Sequence, residues 1–521
     1  MNIELNDMTD VAINKEFKSL ADLFEFSMGK FSKSIAYYHK NEQITFAEVD
    51  EKSRAVAGWI QEYTDLVPGD RVLVQLPNIP EFAIINYGCL RAGLVLVNIC
   101  TSIKDIGYLL QDSEAKIAFF SKDINPDLAS THLDSSLEFR VSIEAHDLSE
   151  NSLSLNDIYE KGCLITLLPR DSDLDDLCLL QYTDGTSGRP KGACLSHRNI
   201  ITNLLQLMQR VENVHDRNSE IVVCPLPFHH IFAFVANFAL TFSCGNANIL
   251  IPDLWDTKHI VEVMRKHKVT CFIGMNSLFH SLLEDDEFIE LDFTSLSSSF
   301  CGGYPLSVSV AENWRLLTGI RITEGYGLTE ASMGVCLNEP GNEQLETVGP
   351  PLIGTSVEVW NENDEPLGFG EVGQIVVKGP QVIKRYWKDE ALNEKMFSSD
   401  GFHRTGDLGL LRYNGHIKLL NRKDDSIWVG DSIVYPREVE EVLVSADGVR
   451  EAVVIGENDP LKGSRLHAFV IVTKDFVSKS ELIEYCRDML PDFYVPEKVT
   501  VTERLPRSSL GRVLRGKLRG Q

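Results

Sequence analysis

From residue 50 onward, short apolar runs rich in β-branched residues alternate with stretches whose apolar positions recur at helical spacing, the pattern of parallel α/β construction. "VPGDRVLVQL" (67–76) reads as a turn feeding a strand, and "PEFAIINYGCLRAG" (80–93) as a helix stopped by glycine. "AKIAFF" (115–120), "LCLLQYT" (177–183), "EIVVCPL" (220–226) and "VTCFIGM" (269–275) are buried-strand candidates. The apolar stretch "HHIFAFVANFALTFSCG" (229–245) is short and broken by polar residues, so it reads as a buried helix rather than a membrane span. After residue 420 the texture changes. "HIKLL", "SIWVGDSIVY", "EAVVIG" and "LHAFVIV" read as strands, "PREVEEVLVSA" and "SKSELIEYCRDML" as helices, and the polar run "NRKDDS" (421–426) as an exposed junction. The expected fold class is therefore α/β. A large N-terminal domain of packed α/β subdomains (1–420) and a small α+β domain (421–521) are expected to move against each other.

Composition narrows the function. A formal charge of −26 disfavours an extended nucleic-acid face, because phosphate backbones demand clustered Lys and Arg. Eleven cysteines show neither a CxxC pair nor a Cys/His spacing fit for zinc, and read as small buried residues of a reducing cytosol. The N-terminus lacks the apolar core of a signal peptide, giving a cytoplasmic expectation with at most peripheral membrane contact.

The chemistry begins at "YTDGTSGRPKGACLSH" (182–197). It follows a strand candidate and is dense in the Gly, Thr, Ser and Lys that wrap backbone N–H groups, hydroxyls and an ammonium around phosphate oxygens. It is not a Walker A loop, since Lys191 lies between Pro190 and Gly192. The stretch resembles the phosphate loop of the adenylate-forming superfamily, which holds acyl-CoA synthetases, peptide-synthetase adenylation domains and beetle luciferases. Further motifs with the family's look follow in order: "PFHHIFAF" (227–234), "CGGYPL" (301–306), "EGYGLTEAS" (324–332), "FHRTGDLG" (402–409) and "LLNRKDDS" (419–426). The closest likeness is to bacterial long-chain fatty-acid–CoA ligases, through "PFHHIFA", "FIGMNSLFHSLL", "LDFTSLSSSFCGG" and "KGPQVIKRYW".

The resemblance implies ATP-dependent activation of a hydrophobic carboxylic acid as acyl-AMP, followed by thioester formation with coenzyme A. It also implies site roles. Thr183, Asp184, Gly185, Thr186, Ser187 and Gly188 cradle ATP, with Lys191 as a nearby cation. Gly302, Gly303 and Tyr304 form the adenine turn, Tyr326 and Gly327 continue the adenine site, and Thr329 meets the α-phosphate. Glu330 and Thr186 hold Mg²⁺, a hard cation suited to carboxylate and phosphate oxygens. Asp407 takes the ribose hydroxyls, Arg422 lies near ribose and phosphate, and Asp424 is the pivot of the lid. His230, Phe234, Gly274 and Met275 belong to the acyl pocket.

Four departures bear on competence. Where the family places a catalytic lysine in the C-terminal tail this chain has Arg512, a broader and more directional cation. Asp431 stands on the acceptor side where glycine is the pattern, with Gly430 beside it. Asp184 puts an acid in the phosphate loop, and Cys301 opens the adenine turn. Alternative readings keep the fold: an acyl-AMP ligase that loads a carrier protein, an enzyme that forms thioesters but adenylates poorly, or a nucleotide- and acyl-binding homologue of weak activity. Lys517 reads as a helix-surface residue.

Overall fold

The computed structural model describes residues 17–103, 105–129, 136–144, 152–183, 189–212, 218–430, 432–459, 463–473, 478–507 and 513–519. Strand Arg71–Gln75 lies between Ala115–Phe120 and Val95–Asn98 in a seven-stranded sheet, which continues through Leu177–Thr183 to Lys191–Ser196. A second sheet has eight strands; at its centre Ile221–Cys224, Cys271–Gly274, Ser298–Cys301 and Ile322–Leu328 run parallel in that spatial order. Every candidate strand read from the sequence in this region forms. Their run-on apolar character follows from being covered on both faces by helices.

The helices start where the side chains allow. Thr45 and Glu48 close a capping box at the start of Phe46–Tyr63, and Ser196 with Asn199 does the same for His197–Arg210. The apolar stretch after His229 is buried and helical, but wound in two ways: Ile231–Ala233 is α-helical and Phe234–Thr241 π-helical. Thr241 Oγ1 donates to the Ala236 carbonyl at 2.8 Å within that wider turn. Among the described residues no helix is long and apolar enough to cross a membrane.

An antiparallel four-stranded sheet follows, from Ser356–Trp360 through Gly373–Lys378 and His403–Leu411 to Ile417–Arg422. The chain leaves it through one 3-10 turn, Lys423–Asp425. Beyond lie the hairpin Ile427–Val429/Ser432–Val434, helices Pro436–Ser445 and Lys479–Met489, and a three-stranded sheet of Val449–Asp459, Gly463–Val472 and Lys498–Val501. These elements bury their own core around Val439, Leu443, Val454, Ala468 and Leu482. Across the gap, Arg450 pairs with Glu284 at 2.9 Å.

Candidate active site

The carboxyl ends of the parallel strands in both large sheets open on one cavity of about 1680 Å³, where an open α/β sheet binds its ligands. Asp184, Gly185, Thr186, Ser187 and Gly188 lie outside the described residues. The strands that carry the two ends of this segment pair antiparallel, with Thr183 opposite Lys191, and both residues line the cavity.

Gly302, Gly303 and Tyr304 form a turn on the opposite wall. Gly303 sits at φ 76°, a left-handed conformation that glycine adopts without steric cost. The turn is pinned from below: the Leu306 N–H donates to Glu324 Oε1 at 2.9 Å, and the Ser307 N–H to Asn276 Oδ1 at 2.9 Å. Burial pushes the Glu324 carboxyl up to about 7, opposed by the Leu306 N–H and by Arg437. Its folded value therefore lies above the unfolded one, so the stability it contributes is complete in acid and lost as pH rises toward 7. Glu324→Gln removes that loss. The variant is expected to match the wild type near pH 4.5 and to exceed it at pH 8 by on the order of 2–3 kcal/mol, read from denaturant unfolding at the two pH values.

Tyr326, Asp407 and Arg422 form one constellation. The Tyr326 hydroxyl donates to Asp407 Oδ2 at 2.7 Å, and Arg422 Nε lies 2.9 Å from Asp407 Oδ1. Asp407 holds the guanidinium well into its charged form, while burial and the same carboxylate push the Tyr326 phenol up. Each carboxylate oxygen keeps a second lone pair, so Asp407 retains acceptor capacity for hydroxyls. Gly327 is required by close packing: a Cβ there would overlap the Met333 carbonyl oxygen.

Thr329 opens the 3-10 turn Thr329–Ala331 and lines the cavity with Glu330. Ser332 and Met333 follow at φ 58° and 112°, a strained reversal held by a hydrogen bond from the Ser332 hydroxyl to the Gln381 carbonyl. The Tyr386 hydroxyl donates to Glu330 Oε1 at 2.8 Å, and the same hydroxyl oxygen lies 3.1 Å from His403 Nε2. Because Tyr386 spends its proton on Glu330, His403 must donate from Nε2. Burial holds His403 neutral, which leaves Nδ1 as a buried acceptor without a partner. Sequence reasoning missed Tyr386, His403 and Glu324; they lie inside the quoted motifs, but no spacing marks an aromatic residue as a carboxylate's partner.

Among the described residues no cluster of three or more His, Cys, Asp or Glu can hold a metal ion alone. One oriented carboxylate fits Mg²⁺, which is commonly held by one or two carboxylates plus substrate phosphates and water. Glu330 would hold the ion with the nucleotide's own oxygens, and the ion would screen negative charge as pyrophosphate departs. His230 Nδ1 accepts from the Phe232 N–H at 3.2 Å, and burial, with His229, lowers the ring to about 3, so it stays neutral with its proton on Nε2.

Two acyl-pocket expectations are corrected. Gly274 does not line the cavity: strand alternation puts it on the face of Phe272, where an added Cβ would meet Phe272 at 3.1 Å and Phe279 at 3.2 Å, while Ile273 and Met275 face the cavity. Phe234 is fully buried and stacks on Phe238, with centroids 4.6 Å apart. Phe232, Ala236 and Leu240, four residues apart along the helix, supply the cavity wall instead.

Arg512 and Asp431 lie outside the described residues. On either side of the former, Arg507, Val513, Arg515 and Lys517 line the same cavity as Tyr326, Glu330 and Arg422. Lys517 belongs to the 3-10 turn Arg515–Lys517 rather than to a helix. Arg515 Nη2 lies 2.5 Å from Glu440 Oε1, and Nη1 lies 3.7 Å from Asp425 Oδ2. Asp424 lines the cavity from the exit turn, whereas Gly430, at φ 61° in the exposed hairpin, does not.

Residues 24–387 match the AMP-binding enzyme family, and residues 438–512 match the AMP-binding enzyme C-terminal domain. A long-chain-fatty-acid–CoA ligase of Salmonella typhimurium is 32% identical, over 97% of this chain and 95% of its own. Among solved structures, ATP-bound MatB from Rhodopseudomonas palustris superposes with a TM-score of 0.85 at 27% identity, covering 96% of this chain and 98% of its own. The o-succinylbenzoate CoA synthetase MenE of Bacillus subtilis, in complex with its acyl-adenylate intermediate, gives 0.82 at 25% identity, covering 97% and 98%. With both family models matched and the fold and sequence shared along nearly the whole chain, the chain belongs to the AMP-binding enzyme family and is an AMP-forming acid–CoA ligase.

Proposed function

We propose that the acid it activates carries a long hydrophobic chain and that coenzyme A is the acceptor. The observation that supports this is the apolar wall of Leu207, Val211, Ala236, Leu240, Ile273 and Met275, which belongs to the same cavity as His230 and the nucleotide groups. An extended hydrocarbon gains burial along such a wall at about 0.8 kcal/mol per methylene.

Lys191, Thr329 and the terminal basic segment bring a carboxylate and a triphosphate together against their mutual repulsion, which is the main electrostatic task of the first step. Tyr326, Asp407 and Arg422 hold the nucleoside. His230, neutral and fixed in one tautomer, borders the acyl group without adding charge. The lid then turns at Asp424, which withdraws the tail and brings the hairpin containing Gly430 and Asp431 to the acceptor side.

The test is ATP–pyrophosphate exchange across a series of straight-chain acids and benzoate, then thioester formation with coenzyme A or an acyl carrier protein. Exchange that rises with chain length, with product on coenzyme A, is the expected result. Exchange confined to short or aromatic acids, or product only on the carrier protein, overturns the reading. Ala236→Phe is expected to lower kcat/KM for the longest accepted acid by on the order of tenfold while sparing the shorter ones.

A further inference from the structure

Cys100 stands just past the carboxyl end of strand Val95–Asn98, beside the strand that leads into the phosphate loop. It is half-buried, lines the central cavity together with His229, and has its sulfur 3.0 Å from Ser102 Oγ. The geometry is held on both sides: Gln75 Nε2 donates to the Cys100 carbonyl at 3.0 Å, and Gln181 Nε2 to the His229 carbonyl at 3.1 Å.

Independent of the thiol, the same wall carries buried amide atoms without partners. Asn98 is 1% exposed and neither its Oδ1 nor its Nδ2 is satisfied; Gln181 is 5% exposed and its Oε1 is unsatisfied. Both residues line the cavity. Buried polar atoms of this kind cost stability unless something pairs with them. Two acceptors and a donor side by side match a peptide-like amide, which brings one N–H and one carbonyl.

The geometry points to Cys100 as a modification site for the disulfide of a small amide-bearing thiol, with His229 activating the sulfur and Asn98 and Gln181 holding the amide. The Cys100 thiolate attacks one sulfur of the disulfide. A new S–S bond forms as the old one breaks, and the other half leaves as a thiolate that takes its proton from solvent. Cys100 is thereby oxidised to a mixed disulfide, half of the reagent is reduced to a thiol, and free thiol reverses the exchange. The attached group fills the cavity beside Thr183 and Lys191, so ATP is no longer used until it is removed.

Burial works to raise the Cys100 thiol, but the hydrogen bond and charge of His229, with Ser102, outweigh it and bring the sulfur down to about 6. Among the described residues, His229 is the charged side chain that lowers it. The protein carries its own control. Of the eleven cysteines nine are buried, and the remaining two are Cys100 and the exposed Cys163. At pH 6 the gain in thiolate outweighs the lower nucleophilicity that accompanies a lowered thiol, and iodoacetamide should alkylate Cys100 on the order of tenfold faster than Cys163.

The experiment maps adducts on the purified full chain after exposure to glutathione disulfide, coenzyme A disulfide or hydroxyethyl disulfide. A dithiothreitol-reversible adduct on Cys100, formed faster from the amide-bearing disulfides than from hydroxyethyl disulfide, with matching loss of ATP–pyrophosphate exchange, is the expected result. The faster of the first two identifies the source. Adducts on Cys163 alone, alkylation of Cys100 no faster than Cys163 at pH 6, or equal rates with hydroxyethyl disulfide overturn the proposal. Cys100→Ser should keep its exchange activity through the same treatment, and His229→Gln should lose the rate advantage. If either variant fails to fold, the wild-type adduct map decides.

Discussion

Glu330→Gln is expected to slow acyl-adenylate formation by about 10²–10³, measured as ATP–pyrophosphate exchange, with little change in the melting temperature. The side chain keeps its shape, and a glutamine carbonyl can still accept from Tyr386. What it loses is the negative charge on an oxygen facing the nucleotide. Excess Mg²⁺ should recover part of the loss, since a weakened ion site fills at higher concentration. Tyr386→Phe tests the same carboxylate from behind: the 2.8 Å hydrogen bond that orients Glu330 disappears while its charge remains. The expected cost is about tenfold, seen in exchange and in the Mg²⁺ dependence. A glutamine variant with wild-type exchange would remove Glu330 from the chemistry.

Arg512→Ala is expected to lower exchange by about 10²–10³ and to leave thioester formation from supplied acyl-AMP within about twofold, because on the proposed mechanism the lost donor serves only the first step. The placement of Arg507, Val513, Arg515 and Lys517 on the cavity wall motivates this, since the short segment between Arg507 and Val513 has both its ends at the site. Arg512→Lys should recover at least part of the lost rate, because an ammonium supplies the charge without the planar fork. Equal loss in both half-reactions would assign Arg512 to the stability of the small unit rather than to adenylation.

The α/β character and the order of motifs were legible because buried parallel strands write themselves as continuous apolar runs, and nucleotide sites need glycine and hydroxyl residues at short spacing. Tyr326, Thr329, Glu330 and Arg422 line one cavity, with Asp407 bonded to two of them, although up to 96 residues separate them in the chain. Side-chain direction was harder to read. The sequence assigns Gly274 to the acyl pocket, yet a one-residue offset along a strand turns a position to the opposite face. Phe234 failed for the corresponding helical reason, since the wall follows Phe232, Ala236 and Leu240. Tyr386, His403 and Glu324 act through partners distant in sequence, and no local pattern records such pairings. The cavity wall of Asn98, Cys100, Gln181 and His229 is of the same kind: it exists only where two strand ends and a loop meet.

Arg422 ends the last strand of the four-stranded sheet, and the exit turn begins at the next residue. Tyr326, Asp407 and Arg422 thus all lie upstream of the turn, while Arg507, Arg515 and Lys517 lie downstream. A rotation at that turn, as proposed above, would carry Arg507, Arg515 and Lys517 away while leaving Tyr326, Asp407 and Arg422 together. The activated intermediate, a mixed anhydride that water destroys, would then stay tethered by its leaving group through the interval in which the site is open. On the proposed mechanism, retention between steps would follow from where the chain bends.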